Sequence, residues 1–218
     1  MISFLCIITA YLLGSIPFGY LVTRFSTGKN ILEIGWQKTS TSNVFKNVGI
    51  WQGLLTGLLD LLKGFAAVWL AQKLGLSVQV QALCGAAAIA GHNWSCFLNF
   101  AGGRGIATLL GAFLALSPQI LGYSIIPLVV LALTWNSAVG TILFLITAII
   151  LTICFGQFTT IGILPSAALI LVLIKRLSPL KELSSTKGDV IRNRLIFDDD
   201  IPHLEFRLKK AFQSLIKR

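Results

Sequence analysis

Long apolar runs separated by short polar stretches dominate this 218-residue chain. The first run extends from about Ile2 to Val22, the second from about Ile50 to Ala71, and the third from about Val78 to Ala90. Residues 105–174 then contain no charged side chain. Because a helix needs ~20 mainly apolar residues to cross a bilayer, this pattern predicts an all-α, polytopic integral membrane protein.

Turn-forming residues divide the uncharged segment into four pieces. The breaks are Ser117-Pro118, Trp135-Asn136-Ser137 and Phe155-Gly156-Gln157. Together with the three earlier runs, these pieces predict about seven transmembrane helices, in a transmembrane domain of residues 1–176. In the first run, Pro17 is expected to kink the helix, with a neighbouring group satisfying the carbonyl that it leaves without a donor.

Composition and charge agree with an integral membrane protein and also predict its orientation in the membrane. Charged residues make up only 12% of the chain, about half the fraction of a typical soluble domain. Of the 18 basic residues, 11 lie at or after Lys175, and the net charge is +10. The positive-inside rule for membrane proteins explains this uneven distribution of basic residues, so binding to nucleic acid is not needed to account for it. Four spans in the uncharged segment, rather than three, place the tail and the basic first loop together in the cytoplasm, with the N-terminus outside.

Residues 177–218 form a basic tail of soluble composition. From His203 to Arg218, the apolar residues fall on one helical face and the basic residues largely elsewhere. This pattern is typical of a helix lying on an anionic membrane surface, or of one docking on the cytoplasmic loops, and both remain open. The aspartates at 198–200 indicate a solvated turn. The four cysteines show no paired spacing that would indicate a disulfide framework or a metal site.

The stretch between the third and fourth runs holds three glycines around one arginine. The glycines are Gly102, Gly103 and Gly105. They allow backbone amides to turn toward an anion, and Arg104 adds a planar donor suited to phosphate. His92, at the start of the stretch, carries a proton that moves easily near neutral pH. The stretch is either an anion site or a turn whose arginine anchors to lipid phosphates.

Two ionisable residues interrupt the second run. Asp60 and Lys63 lie one helical turn apart on the same side of the predicted helix. Ionisable groups are costly to bury at membrane depth, so the two side chains are expected to pair or to face a polar cavity. We interpret them as a supporting polar pair of the site, the alternative being an ion pair that only fixes packing.

Residues 91–108 fit the pattern Gly-His-x-x-Pro-x-Phe-Leu-x-Phe-x-Gly-Gly-Lys-Gly-Val-Ala-Thr, with Ser95, Arg104 and Ile106 in place of proline, lysine and valine. This pattern resembles that of the bacterial acyl-phosphate:glycerol-3-phosphate acyltransferases, the PlsY family. Gly-Ser-Ile-Pro-Phe-Gly-Tyr-Leu-Val in the first run and Leu-Asp-Leu-Leu-Lys-Gly in the second also look like the family. The resemblance covers residues 10–115 and implies a small membrane enzyme that makes lysophosphatidic acid.

The first loop keeps the spacing of another family motif but changes its residues. The family reads Gly-Ser-Gly-Asn-x-Gly-Ala-Thr-Asn-Val-x-Arg-x-x-Gly, and residues 35–49 read Gly-Trp-Gln-Lys-Thr-Ser-Thr-Ser-Asn-Val-Phe-Lys-Asn-Val-Gly. Trp36 stands in the position of a serine, and Lys38 in that of an asparagine. In a third family motif, Trp135-Asn136 and Ala138 stand in the positions of Arg-Tyr and a serine, and a C-terminal motif survives only as Arg194-Leu195.

The resemblance and the residue chemistry together imply which residues of a site would bind each part of the substrates. One phosphate is expected at Gly102, Gly103, Arg104 and Gly105, and a second at Lys38 and Lys46. The acceptor hydroxyl is expected against Ser40, Ser42 and Asn43. His92 is expected to act as a base or as a hydrogen-bond donor to phosphate.

Other catalytic classes find less support in the sequence. The fifth position after His92 is Phe97, so the His-x4-Asp pair of acyl-CoA-dependent acyltransferases is missing. The sequence shows no Ser-His-Asp set that would indicate covalent catalysis. It also shows no feature that would indicate a metal or organic cofactor. The expected partners are acyl phosphate, glycerol-3-phosphate and membrane lipid, for a monomer or weak oligomer in the bacterial cytoplasmic membrane. A diverged or inactive paralogue with another phosphorylated acceptor, or a lipid-binding or transport protein, remains open.

Thiol labelling tests the predicted topology. In a variant without the natural cysteines, Lys181→Cys is expected to resist a membrane-impermeant reagent in intact cells, because the basic tail lies inside. The control Gln157→Cys, in a predicted outer turn, is expected to react. Labelling of the tail cysteine from outside would contradict the seven-span arrangement.

Overall fold

The computed structural model describes residues 1–178 and 188–197, and this part of the chain is helical without a β-strand. The α-helices are α1 (Ile2–Ser15), α2 (Phe18–Thr27), α3 (Thr41–Asn47), α4 (Ile50–Lys73), α5 (Val78–Asn93), α6 (Ile106–Leu116), α7 (Pro118–Thr134), α8 (Ser137–Cys154), α9 (Ile163–Leu177) and α10 (Gly188–Phe197). Two 3-10 turns lie at Ile31–Glu33 and Cys96–Leu98. The surface helix predicted from His203 and the aspartates at 198–200 lie outside the described residues.

The first apolar run is broken at Ile16 and Pro17. Ile16 has φ −58° and ψ 116°, and α2 begins at Phe18, because proline has no N–H with which to continue the helical hydrogen bonds. The predicted kink is therefore a full break between two helices. The second of them continues past the predicted end to Thr27, where Gly28 takes a left-handed conformation with φ 71°.

The first polar loop is partly helical, which its hydrophobic pattern did not indicate. The hydroxyl of Ser40 accepts a hydrogen bond from the Asn43 amide at the start of α3. The side chain of Asn30 accepts one from the Leu32 amide in the first 3-10 turn. Such caps satisfy N–H groups that a helix start leaves unpaired. A helix as short as α3 carries no long apolar stripe, so periodicity alone does not reveal it.

Two of the breaks predicted in the uncharged segment are N-caps of helices. Ser117 accepts a hydrogen bond from the Ile120 amide, and Pro118 takes the first helical position, where its missing N–H has little cost. Asn136 accepts one from the Ala138 amide at 2.7 Å. The third break follows the end of α8. The four predicted pieces are confirmed as α6, α7, α8 and α9.

Three helical segments of the described chain are long and apolar enough to cross a membrane: Ile2–Thr27, Ile50–Lys73 and Ser137–Cys154. α6 and α7 are shorter apolar helices. At 1.5 Å per residue, the 11 residues of α6 extend only ~16 Å, against ~30 Å for a hydrocarbon core. The count of seven spans, their orientation and the domain boundary after residue 176 therefore stay predictions.

The helices pack in pairs around a shared core. α1 lies against α5, α4 against α6, and α7 against α8, while α5 also contacts α4, α6 and α9. Phe113 of α6 and Phe144 of α8 are fully buried and meet edge to face, with ring centroids 5.6 Å apart. Other large apolar side chains, such as Trp51 and Leu133, point outward, which suits a surface that faces lipid.

Glycines let α4 approach its neighbours closely. A Cβ at Gly64 would overlap the Thr108 carbonyl on α6, and one at Gly111 of α6 would overlap the Leu61 carbonyl on α4. Both sides of this contact therefore need a residue without a side chain. Two further glycines of α4 face α3: a Cβ at Gly53 would overlap Phe45, and one at Gly57 would lie 3.0 Å from the Thr41 side chain.

Polar side chains hold α10 on the helix bundle. Arg176 is buried and donates to the carbonyls of Leu195 and Ala138, at 3.0 and 2.8 Å. The side chain of Asn136 donates to the Ile196 carbonyl at 2.8 Å. Donors at these positions satisfy carbonyls that the end of α10 leaves without helical partners. The described part of the tail is thus fixed to the ends of α8 and α9.

Gly64→Ala tests the contact between α4 and α6. Because the added methyl group has no room, the variant is expected to lower the thermal unfolding midpoint in detergent, despite the higher helix propensity of alanine. Gly122→Ala is the matched control, since a Cβ at that helical position meets nothing within 4 Å, and its midpoint is expected to stay or rise. Equal midpoints would contradict the close packing.

Candidate active site

A small polar pocket lies where the break between α1 and α2 faces α4 and α5. It is lined by residues 14–18 together with Thr39, Asp60, Lys63, His92 and Ser95. These residues come from four separate parts of the chain. The fold therefore brings the predicted histidine and the predicted ion pair to one place.

The charged pair on α4 is buried and paired, as predicted. Nζ of Lys63 lies 2.9 Å from Oδ1 of Asp60, and the two side chains are 3% and 1% exposed. Lys63 also donates to the carbonyl of Ile16 at 2.9 Å. In a continuous helix that carbonyl would accept from the residue four positions later, so the break at Pro17 makes it available. One cation thus satisfies both a buried carboxylate and a backbone carbonyl.

His92 joins this pair through one ring nitrogen. Its Nδ1 lies 3.4 Å from Oδ1 of Asp60, and its ring is buried. Because a carboxylate only accepts hydrogen bonds, the contact favours a hydrogen on Nδ1 and makes Nε2 the acceptor of the neutral ring. Asp60 is therefore shared between Lys63 and His92 and orients both.

The glycine-arginine loop, residues 102–105, folds back onto His92. The Gly103 N–H donates to the His92 carbonyl at 3.2 Å. A Cβ at Gly103 would overlap Nε2 of His92, and one at Gly102 would overlap the carbonyl of the same histidine. Of the three glycines, only Gly105 is left-handed, with φ 71°. At Gly102 and Gly103 a glycine is needed because there is no room for a side chain. The sequence had suggested instead that these positions need a backbone conformation that only glycine adopts easily.

Ser95, which stands in place of the family's proline, ties this region to α1. Its hydroxyl donates to the carbonyl of Ser15 at 2.5 Å. Nearby, the hydroxyl of Tyr11 donates to the carbonyl of Trp94 at 2.8 Å. Both bonds join α1 to the segment directly after α5. The serine therefore adds a fixed contact between the loop and the helix break.

A cation outside the predicted site lies beside the segment that follows α5. It is Lys175, which is half-buried near the end of α9. Nζ of Lys175 lies 5.2 Å from the centre of the Trp94 ring. In the sequence, Lys175 was counted only as the first basic residue of the tail. The sequence feature that could have drawn attention to Lys175 was its position directly after Ile174, within the same helix.

Asn43 is buried and organises the first loop. Its side-chain amide donates to the carbonyls of Ile34 and Lys38, and its Oδ1 accepts from the Trp36 N–H and from the Asn47 side chain. These four hydrogen bonds use the full capacity of an asparagine side chain. Asn43 thus holds the loop together, and its contact with a substrate hydroxyl stays a prediction.

Of the other predicted residues of the first loop, Ser42 and Lys46 lie on α3, Ser40 is its N-cap and Lys38 precedes it. Oγ of Ser40 lies 3.3 Å from Oγ of Ser42. Ser42 is exposed. Nζ of Lys46 lies 5.1 Å from the ring centre of Trp36, whose side chain is 43% exposed. Lys46 is thus held on this tryptophan. A phosphate site formed by Lys38 and Lys46 stays a prediction.

The site combines a histidine oriented by a carboxylate, a tightly packed glycine loop and several cations. Such groups can bind phosphate oxygens and accept or supply a proton. Within residues 1–178 and 188–197, no three histidine, cysteine, aspartate or glutamate residues are grouped so as to hold a metal ion.

The fold and the site together define a class: an all-helical membrane protein with a glycine-arginine loop over a buried Asp–Lys–His cluster. The family model described as glycerol-3-phosphate acyltransferase matches residues 4–185. The chain belongs to this family, which confirms the resemblance seen in its motifs.

Individual relatives agree with this assignment. Glycerol-3-phosphate acyltransferase 2 of Dehalococcoides mccartyi is 35% identical over 196 residues, which cover 88% of this chain and 92% of that protein. The glycerol-3-phosphate acyltransferase of Prochlorococcus marinus is 38% identical over 119 residues, or 55% of this chain. That match, and others like it from Synechococcus and Moorella thermoacetica, spans only 58% of the relative's length.

Crystal structures of PlsY (YgiH), an integral membrane glycerol 3-phosphate acyltransferase, share the fold. The glycerol 3-phosphate form has a TM-score of 0.74 and 25% identity, covering 98% of this chain and 100% of its own. The lysophosphatidic acid form has a TM-score of 0.70 and 25% identity, covering 85% of this chain and 93% of its own. The likeness confirms the predicted all-helical integral membrane fold.

The shared carboxylate predicts a non-additive effect on stability. Asp60→Leu leaves the Lys63 charge buried, and Lys63→Met leaves Asp60 with one partner fewer. Each is expected to lower the free energy of unfolding by about 3–5 kcal/mol. The double variant removes both charges and is expected to be more stable than either single variant. Denaturant unfolding in detergent measures this, and additive losses would show that the two residues act separately.

Proposed function

We propose that this protein transfers a fatty acyl group from acyl phosphate to the hydroxyl of glycerol-3-phosphate, giving lysophosphatidic acid and phosphate. Family membership supports the reaction class. The PlsY forms with glycerol 3-phosphate and lysophosphatidic acid support this acceptor and product. The observation that carries the proposal is the glycine-arginine loop packed on His92 beside the buried Asp60–Lys63 pair.

The reaction requires phosphate groups to be held while a hydroxyl approaches the acyl carbonyl. The acceptor oxygen forms a bond to the acyl carbon, and the bond from that carbon to the phosphate oxygen breaks. Phosphate leaves with the electron pair, and nearby cations stabilise the charge that collects on it. Because acyl phosphate is already activated, orientation of the two reactants supplies much of the rate.

In this proposal His92 accepts the hydroxyl proton through Nε2. Asp60 faces Nδ1 at 3.4 Å, so the neutral ring presents its acceptor nitrogen on the side of Gly103. Lys63 offsets the negative charge of Asp60 and holds it in place at 2.9 Å. Asp60 and Lys63 are therefore positioning residues, and His92 is the catalytic base.

The first loop is proposed to present the acceptor. Ser40 uses its hydroxyl to cap α3, whereas Ser42 is exposed, so Ser42 is the better candidate to orient the acceptor hydroxyl. Lys38 binds phosphate together with Arg104 and the amides of the glycine-arginine loop. Lys46, which is exposed, adds positive charge that attracts phosphorylated substrates.

The protein is proposed to lie in the bacterial cytoplasmic membrane, with residues 1–176 embedded and with the tail and substrate loops in the cytoplasm. The concentration of basic residues after position 174 supports this orientation. The end of α9 carries both Lys175, beside the loop, and Arg176, beside α10. The loop and the described part of the tail therefore share one end of the bundle, where a soluble substrate would arrive.

The first loop also supports an alternative, a related reaction with another phosphorylated acceptor. An indole at position 36 donates only through its ring nitrogen, unlike the family's serine. Purified protein is given acyl phosphate with either glycerol-3-phosphate or another phosphorylated alcohol, and mass analysis of the product lipid decides between the two. Lysophosphatidic acid supports the main proposal. Its absence, with acyl transfer to a different phosphorylated alcohol, would favour the alternative.

Two variants test the glycine-arginine loop. Arg104→Ala is expected to weaken binding of glycerol-3-phosphate about tenfold or more, because a charge-assisted hydrogen bond contributes ~1.5–3 kcal/mol. Gly103→Val is expected to abolish turnover by displacing the loop from His92. Arg24→Ala, at an exposed arginine on α2, is the control and should change neither. Normal binding and turnover in both membrane-inserted loop variants would show that the loop is only a turn.

A further inference from the structure

The short helix α3 lies beside the first turns of a helix that is long enough to cross a membrane. A Cβ at Gly53 of α4 would overlap Phe45. One at Gly57 would lie 3.0 Å from the side chain of Thr41. The two helices therefore run antiparallel, and the start of α3 lies further along α4 than its end. Both glycines belong to the apolar segment Ile50–Lys73.

A contact with α2 places the same loop independently. A Cβ at Gly19, near the start of α2, would overlap the carbonyl of Thr39. α2 completes the segment Ile2–Thr27, which is also long and apolar enough to cross a membrane. Two candidate spans therefore hold the loop from Thr39 to Phe45 against residues inside their apolar segments, and not beyond the ends of those segments.

The level of α3 in a bilayer follows from the ends of α4. Trp51 lies in the first turn and is 80% exposed, and tryptophan favours the boundary between membrane and water. A hydrocarbon core of ~30 Å takes about 20 residues, which leads from Trp51 to Ala71, directly before the polar Gln72 and Lys73. At 1.5 Å per residue, Gly57 then lies ~9 Å inside this boundary. Helices that lie in a membrane interface are buried to a similar depth, ~5–10 Å.

We propose that α3 is immersed in the bilayer, on the side that the positive-inside rule assigns to the cytoplasm, with Phe45 in contact with lipid acyl chains. Although Phe45 packs on Gly53, its side chain is 46% exposed. Leu54, the next residue of α4, is 54% exposed and faces lipid at the same level if α4 crosses the membrane. The partner of this surface is the lipid bilayer itself, and the first loop enters the membrane instead of lying in water.

The polar groups of the loop suit this position. Backbone groups outside a helix are tolerated at membrane depth only where the protein satisfies them. The buried Asn43 donates to the carbonyls of Ile34 and Lys38. It also accepts from the Trp36 N–H. Nζ of Lys46 lies 5.1 Å from the ring centre of Trp36, and a long cationic side chain beside an indole is typical of the headgroup level.

Spin labelling in lipid nanodiscs tests this placement. In a variant without the natural cysteines, a nitroxide is attached at Phe45→Cys. Leu54→Cys is the lipid-facing reference, and Lys29→Cys, at an exposed residue beyond the end of α2, is the water-facing reference. The labels at 45 and 54 are expected to collide more with oxygen, which concentrates in lipid, than with a water-soluble nickel chelate. The label at 29 is expected to show the reverse ratio.

A second measurement keeps an aromatic side chain at position 45, in case the cysteine variant does not fold. Phe45→Trp is made with the five natural tryptophans replaced by phenylalanine. Its fluorescence is expected to be quenched more by lipids brominated on their acyl chains than by aqueous iodide.

The inference is overturned if nickel exceeds oxygen at position 45 or if iodide is the stronger quencher, because α3 would then lie in water. It is also overturned if position 45 is protected from both kinds of reagent, as it would be under a second copy of the protein. Neither measurement requires turnover, so the result is independent of the proposed function.

Discussion

A broken helix and a buried ion pair depend on each other in this protein. The break at Pro17 leaves the Ile16 carbonyl without a helical donor, and Lys63 supplies one at 2.9 Å. Lys63 in turn needs more than Asp60, because a buried charge is tolerated only when its hydrogen-bonding positions are satisfied. Without the break the lysine would lose one partner, and without the lysine the carbonyl would keep only the hydrogen bond from the Phe18 N–H, at 3.1 Å.

The rest of the site follows from this contact. Asp60 is fixed by Lys63 and also faces His92, so the orientation of the histidine depends on the same ion pair. The glycine-arginine loop then packs against His92 at a distance that excludes a side chain at Gly103. Stability and proposed catalysis therefore share one set of contacts. A substitution in the pair is expected to affect both the fold and the position of the loop.

The first loop shows how a motif can keep its architecture while its chemistry changes. Asn43 satisfies four hydrogen-bonding positions inside the loop, so the loop shape depends on this one side chain. Trp36 contributes to that shape only through its backbone N–H, and its ring lies outward under Lys46. A tryptophan in the position of the family's serine is therefore compatible with the loop fold.

The apolar helices and the places where they break follow from the local sequence. Pro17, Ser117 and Asn136 act on their immediate neighbours, through a missing N–H or a side-chain cap, so their effects can be predicted locally. The pairing of Asp60 with Lys63 is also local, since one helical turn separates them.

Which distant groups meet depends on the tertiary structure. The contacts of His92 with Asp60 and of Lys175 with Trp94 join different helices. They depend on how those helices rotate and approach one another, and periodicity specifies an apolar face but not its neighbour. For the same reason the spatial need for Gly103, which arises from the His92 ring packed against it, could not be predicted from the chain alone.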